Sequence, residues 1–242
     1  MERIDNIGFG DLKLIQNPDE FCYGVDAVIL ADSVDTGKLK DASKIVVDLG
    51  TGTGVVPLIL SSKTNAKIIG IEIQKDSFDR ANRNAKLNEI EDRISFVNAD
   101  VKEYINWGHG LKSSIDVVTS NPPYMAKTSG LKNDNSAKMI ARHETTADLN
   151  DFISASSFLL KDKGDFYLVH RPSRLVDILC YGREHNLETK EIRFVSPKKG
   201  EEPNILLVHM VKNGGKELKY LPTLYIHEEN GEYTPELLNC YK

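Results

Sequence analysis

Asn121-Pro122-Pro123-Tyr124 follows the apolar run Ile115 to Val118 and has the composition of a rigid pocket for a planar NH2 group. Two prolines hold φ at about −65° and carry no backbone donor, so the carbonyls of Asn121 and Pro122 can stand outward as acceptors beside the Asn121 amide oxygen. An amino nitrogen on a ring, or an amide nitrogen, is a poor nucleophile because its lone pair is delocalised. Accepting both of its N–H bonds as it pyramidalises stabilises the lone pair as it localises toward an electrophile, and Tyr124 is placed to stack on the planar group. The competing structural role is a Pro-rich turn that caps a buried strand, with Tyr124 as core.

A second cluster supplies a site for the electrophile. Asp48-Leu49-Gly50-Thr51-Gly52-Thr53-Gly54 lies between the β-branched run Ile45-Val46-Val47 and the apolar stretch Val55 to Leu60, a strand, glycine turn and helix in succession. Gly50, Gly52 and Gly54 let backbone approach a ligand closely, but the spacing is G-x-G-x-G and departs from the dinucleotide fingerprint. An acidic residue two positions before the first glycine repels a pyrophosphate and favours a cationic amino acid or sulfonium, which points to S-adenosylmethionine rather than NAD. Glu72 ends the next apolar run, where a carboxylate accepting two ribose hydroxyls should lie, and Asp100 closes the run after that, where it could accept from an adenine amino group. Singly, such acids are commonly helix N-caps; three at successive strand ends, in order with the glycine loop and Asn121, favour a cofactor site.

The elements that must position these residues follow from periodicity. Strands are predicted near 44–49, 67–73, 94–98, 115–120, 165–170, 189–195 and 205–211, and helices near 25–34, 55–62, 75–88, 149–160 and 173–185, with 12–16 extended. Alternating β and α ending in two strands with no helix between them gives an α/β, doubly wound, mostly parallel seven-stranded sheet with helices on both faces and one antiparallel strand at or near its edge. A single domain is expected, with an N-terminal flap over 1–43, the core sheet over 44–213, a basic loop over 125–147 and a C-terminal extension over 214–242.

The chain of 242 residues is 40% hydrophobic and 28% charged, which suits an α/β enzyme with a proper core. No run approaches the ~20 apolar residues that span a bilayer, and Met1 to Asp5 opens no secretory signal. Cys22, Cys180 and Cys240 are far apart and lack C-x-x-C spacing, so they read as reduced cytoplasmic thiols, without a zinc site or disulfide framework. A net charge of −5 argues against a nucleic-acid partner on average, but a local patch can outweigh it. The loop after Tyr124 carries Lys127, Lys132, Lys138 and Arg142 against Asp134, at the mouth of the expected pocket, so phosphate contact is its natural role and a solvated insertion the alternative. Arg171, Arg174, Lys198 and Lys199 either extend that patch or are ordinary surface charge.

Gln16-Asn17-Pro18, Phe21, Tyr23-Gly24-Val25-Asp26-Ala27, Asp48 to Gly54, Asn121 to Tyr124 and Ala141-Arg142-His143-Glu144 together resemble the bacterial tRNA(Val) adenine-37 N6-methyltransferases, over roughly residues 5 to 240. The glycine loop and Asn-Pro-Pro-Tyr are shared by many amino-methyltransferases; the flap and Ala141 to Glu144 are narrower. The resemblance implies a class I methyltransferase (Rossmann-like) fold, S-adenosylmethionine as donor, no metal, and a tRNA anticodon-loop adenine as acceptor, other structured RNA being possible. It places Gly50, Gly52, Glu72, Asp100 and Asn121 at cofactor and catalytic positions and Tyr23 and Asp26 near the cofactor. Asn121, Pro122 and Tyr124 are then the catalytic set, acting on an adenine unstacked from its loop. His143 is a candidate base, with phosphate contact or structure as the favoured alternatives. Guanine N2 methylation of rRNA, methylation of a protein glutamine amide, and a scaffold that has lost activity stay open as other readings.

Overall fold

The computed structural model describes residues 2–18, 23–124 and 147–242. Two short strands, β1 (Arg3–Asn6) and β2 (Lys13–Gln16), form an antiparallel hairpin. The main sheet contains β3 (Ile45–Leu49), β4 (Lys67–Glu72), β5 (Ile94–Asn98), β6 (Ile115–Ser120), β7 (Leu160–His170), β8 (Leu187–Ser196), β9 (Ile205–Lys212) and β10 (Lys219–Tyr225). The described helices are α1 (Val25–Ser33), α2 (Val55–Lys63), α3 (Lys75–Leu87), α4 (Tyr104–Trp107), α5 (Leu149–Leu159), α6 (Leu175–Glu184) and α7 (Pro235–Asn239).

The strand order is β10-β8-β9-β7-β6-β3-β4-β5, and β9 alone runs against its neighbours. The expected doubly wound α/β architecture is present with one strand added. β10 falls in the stretch read as a C-terminal extension, because Pro222 interrupts its pattern. On an edge strand a proline costs no ladder bond it needs, and here the register shifts between Leu221 and Leu224 around it. β7 begins five residues before the expected Asp165, since polar Lys161 to Gly164 hid an irregular start that is offset against Ile115 and Val117 of β6.

Side chains alternate between two apolar layers, as the pleat requires. Val46 and Val117 pack with α1, α2 and the N-terminal hairpin, whereas Val47 and Val118 pack with Phe152, Ile153 and Leu159 of α5 and Ile178 of α6. The helix α5 starts at a capping box in which Asp148 and Asp151 satisfy each other's backbone N–H. The winding reverses between β3 and β6, so a crevice opens beyond the carboxyl ends of those strands, where ligands settle in such sheets.

Candidate active site

Register brings the chemistry-bearing residues to one edge. Leu49 of β3 is opposite Ser120 of β6 and Ile71 of β4, and Glu72 is opposite Asn98. The next residues along, Gly50, Asn121 and the Ala99-Asp100 turn, therefore project from the same end of the sheet. Side chains of β6 lock this alignment: the Ser120 hydroxyl donates to the Leu49 carbonyl (2.9 Å) and the Thr119 hydroxyl to Asp48 Oδ1 (2.7 Å). The Gly50 and Thr51 N–H groups donate to the Ile71 carbonyl at 2.9 and 3.0 Å, which starts the glycine turn.

The three glycines of that turn all have positive φ (70°, 57° and 84°), yet they are glycine for different reasons. A Cβ at residue 54 would lie 2.8 Å from the Phe96 ring, and one at residue 70 would lie 2.5 Å from it, so Gly54 and Gly70 form the slot in which that ring sits. A Cβ at residue 52 would meet nothing within 4 Å among the described residues beyond its chain neighbours. The open side of the loop is at Gly52.

Two buried carboxylates flank this loop. Glu72 is 5% exposed and accepts the Gly52 N–H (2.8 Å) on one oxygen and the Gln74 N–H (2.7 Å) on the other. Burial raises its pKa against those donors. Asp48 is 2% exposed, and burial, reinforced by Glu72, pushes its pKa up to about 7. Both carboxylates keep lone pairs to spare. Asp100 caps the short turn at 101–103, its Oδ1 accepting the Lys102 N–H at 2.9 Å, while its carbonyl accepts from the Trp107 indole. The N-cap role named as the alternative for such acids is thus filled at Asp100. The buried Asn84 of α3 was not singled out from the sequence; it accepts from the Ile15 N–H at 2.7 Å and donates to the Thr53 carbonyl at 2.9 Å, tying the hairpin to the glycine loop.

Asn121 and Tyr124 meet Asp26, which α1 delivers from 95 residues upstream in the chain. Asn121 Nδ2 donates to Asp26 Oδ2 at 3.1 Å, and the Tyr124 hydroxyl is 3.0 Å from the same oxygen and 2.6 Å from Asn121 Oδ1. Burial, with the Asp26 charge adding to it, raises the Tyr124 phenol far above its usual range, so it stays a donor. Asp26, expected near the cofactor, is joined directly to Asn121 and Tyr124. Tyr23 begins this segment with its N–H on the Gln16 side-chain oxygen, 3.1 Å away.

The end of β7 completes the surroundings. The His170 ring meets Tyr124 edge-on at 5.2 Å, and the Arg171 guanidinium lies over the Tyr124 ring, 4.7 Å from its centroid. His170 is buried, and burial, with the nearby Arg174 and Arg171 charges, pushes its pKa down to about 4, so the ring is neutral. A base that stacks on Tyr124 must use the ring's other face or displace Arg171. His170 was not foreseen as part of the site; its signal was position, as the last residue of the strand next to β6. Arg174 pairs with Asp177 (2.6 Å), and Lys198 and Lys199 lie in the turn between β8 and β9, at the same end of the sheet. Lys127, Lys132, Lys138, Arg142 and His143, like Phe21 and Cys22, lie outside the described residues. Cys180 and Cys240 are free thiols, and no described helix is long and apolar enough to cross a membrane.

Comparison with known proteins places this geometry in context. A family model described as a methyltransferase domain matches residues 40–176, more than half of the chain. A Porphyromonas gingivalis protein named tRNA1(Val) (adenine(37)-N6)-methyltransferase is 28% identical over 96% of this chain and 91% of its own length. A Bacteroides fragilis protein of the same name is 29% identical over 87% of this chain and 86% of its own. Among solved structures, a protein titled a predicted O-methyltransferase from Agrobacterium tumefaciens superposes with a TM-score of 0.71 at 22% identity, covering 89% of this chain and 96% of that one. A geranyl diphosphate C-methyltransferase from Streptomyces coelicolor, solved with S-adenosyl-L-homocysteine, gives 0.55 at 15% identity over 77% of this chain and 79% of its own. These likenesses support the fold.

Proposed function

This chain belongs to the methyltransferase-domain family, and from that premise we propose that it methylates the exocyclic N6 of an adenine in a tRNA anticodon loop, adenine-37 of tRNA(Val), with S-adenosylmethionine as donor. The observation that carries the reaction type is the Asp26, Asn121 and Tyr124 group, held by hydrogen bonds beside a glycine turn at the point where the sheet reverses. The acceptor is supported by the names of relatives similar over nearly the whole chain.

The residues present suit the donor. Space above Gly52 admits a ligand against the backbone, the Glu72 carboxylate at the strand end is the acceptor a ribose diol needs, and buried Asp48 favours a cation nearby. When bound, S-adenosylmethionine supplies an electrophilic methyl group on a positively charged sulfur. Asn121 Oδ1 and the Pro122 carbonyl accept the two N–H bonds of the adenine amino group and orient its lone pair. Positive charge that grows on the nitrogen is stabilised by these dipoles, which are fixed before the reaction. The amino proton, acidic once the nitrogen is alkylated, passes to water. Neutral His170 and the Tyr124 ring wall the pocket, and Arg171, with the basic residues after Tyr124, meets RNA phosphates.

The deciding experiment is nucleoside mass spectrometry of tRNA and rRNA from a deletion strain, together with transfer to a tRNA(Val) transcript in vitro. Loss of N6-methyladenosine from tRNA alone is expected. Loss of a guanine N2 methyl from rRNA, or of a methylated glutamine with RNA unchanged, overturns the acceptor. Asn121→Ala should lower kcat roughly 10²-fold or more with S-adenosylhomocysteine affinity intact. Folded Asn121→Ala with near wild-type activity would make the Asn-Pro-Pro-Tyr turn a structural cap only.

A further inference from the structure

We infer that Asp26 is the positioning residue of the catalytic amide: it holds Asn121 with its oxygen turned outward to the substrate amino group and strengthens that oxygen as an acceptor. The inference rests on the amino-methyltransferase reading and deepens it, giving Asp26 a role distinct from holding the cofactor.

A primary amide is nearly symmetric in shape, and an isolated asparagine can present either its oxygen or its NH2. Only the oxygen can accept from a substrate amino group. With Asp26 Oδ2 located 3.1 Å from Asn121 Nδ2, the flipped orientation would put two oxygens bearing negative charge in contact, so the carboxylate selects the productive orientation. A charge-assisted bond at the NH2 end also polarises the amide, moving electron density to Oδ1.

The carboxylate is itself fixed. Oδ1 accepts the N–H of Ala27 at 3.0 Å, and Asp26 is 9% exposed in the first turn of α1. Gly24 makes room for it: a Cβ at that position would lie 2.8 Å from Asp26 Oδ1. Gly24 has φ −115° and ψ 179°, ordinary extended backbone that any residue adopts, so its lack of a side chain serves the carboxylate and not the chain path.

Tyr124 completes a relay of donors. Its single hydroxyl proton has two acceptors within reach, Asn121 Oδ1 at 2.6 Å and Asp26 Oδ2 at 3.0 Å. When a substrate N–H arrives at Asn121 Oδ1, the hydroxyl can turn to Asp26 and leave a lone pair of the amide for the incoming group. No proton changes owner in that rotation, so it leaves the Asp26 carboxylate as it was, facing the substrate amino group through Asn121.

Asp26→Asn keeps the shape and removes the charge; Gly24→Ala keeps the charge and displaces it. Both should lower kcat for transfer to the tRNA transcript roughly 10- to 100-fold, the scale of a misplaced reacting group, with KM for RNA and the Kd of S-adenosylhomocysteine within about twofold of wild type. Added to Asn121→Ala, Asp26→Asn should cost almost nothing further, because it acts through that amide. A tenfold weaker S-adenosylhomocysteine Kd with unchanged kcat would instead make Asp26 a cofactor ligand, and full additivity with Asn121→Ala would make it a separate structural element. Each result overturns the inference. The contact is also readable without RNA: the side-chain NH2 signal of Asn121 in a 15N-labelled sample, identified by its loss in Asn121→Ala, should move upfield in Asp26→Asn and in Gly24→Ala. An unmoved signal refutes the contact, whereas an inactive wild type with the signal in place refutes the methylation reading alone.

Discussion

Replacing Gly52 or Gly54 by Ala should separate the glycine that serves a ligand from the glycine that serves the core. Both have positive φ, at 57° and 84°, so an Ala at either carries left-handed strain of about 1 to 2 kcal/mol. For Gly52→Ala nothing else is added among the described residues, since beyond its chain neighbours none of them brings an atom within 4 Å of the new Cβ. Gly54→Ala places its Cβ 2.8 and 3.1 Å from two Phe96 ring carbons, well inside the ~3.5 to 4.0 Å of a normal carbon contact, and overpacking of this kind adds about 1 to 3 kcal/mol. A chain of this size loses about 2 to 4 °C of Tm per kcal/mol. Gly52→Ala should therefore melt roughly 2 to 8 °C below wild type and Gly54→Ala about twice as far below. Binding should follow the reverse order, because the Gly52 methyl fills the space assigned to the donor. Calorimetry with S-adenosylhomocysteine should show Gly52→Ala weakened at least tenfold. Wild-type affinity in Gly52→Ala refutes the cradle, and a Gly54→Ala melting point equal to that of Gly52→Ala refutes the Phe96 slot.

Glu72→Ala should weaken S-adenosylhomocysteine binding by about 1.5 to 3 kcal/mol in calorimetry, the scale of lost hydrogen bonds to a charged group, with NAD unbound by either protein. Replacing any two of Lys127, Lys132, Lys138 and Arg142 by Gln should reduce the slope of log K for RNA against log salt by about 2 and leave cofactor affinity unchanged; an unchanged slope returns this stretch to a solvated insertion. For Asp48 the folded pKa of about 7 stands above the carboxylate's usual value, so its protonated form contributes stability that is full below that usual value and is lost as pH rises through about 7. The Tm of Asp48→Asn minus that of wild type should accordingly grow between about pH 5 and pH 8.5 in melting scans, and a flat or falling difference refutes the burial argument.

Much of the architecture was legible because the strands of a parallel sheet covered on both faces are continuous apolar runs. Ile45 to Leu49 and Ile115 to Ser120 could be placed within a residue of their ends. What escaped was the irregular margin. Lys161 to Gly164 is polar and joins β7 through an offset pairing with β6, and β10 contains a proline that only an edge strand tolerates. The hairpin partner β1 is four residues long and largely exposed, so its Arg-Ile-Asp-Asn has no pattern to read; the bond that the Gln16 amide of β2 donates to its Asp5 exists only after folding.

The site was legible to the extent that sheet chemistry is local. Residues at or just past a strand end must lie at the carboxyl edge, and that rule placed Glu72, Asp100 and Asn121 there, with Asp48 one residue before the end of β3. It could not find what comes from a third direction: Asp26 entered only through the family resemblance, and its tie to Asn121 did not. Asp26 sits in a helix whose neighbours Ala27 to Ala31 are all buried and apolar, and a carboxylate there is costly unless paired. That cost was the available signal: an acid set into an otherwise apolar helix needs donors, and beside the Ala27 N–H the side chains that supply them are the asparagine and tyrosine of a motif nearly a hundred residues away. Packing also ranks the glycines. A sequence shows three in a row of alternate positions, but only packing reveals that Gly54 yields to Phe96 while Gly52 yields to nothing among the described residues. Space kept open at the end of a strand, beside two carboxylates whose charge is poorly solvated, is space suited to a cation from outside.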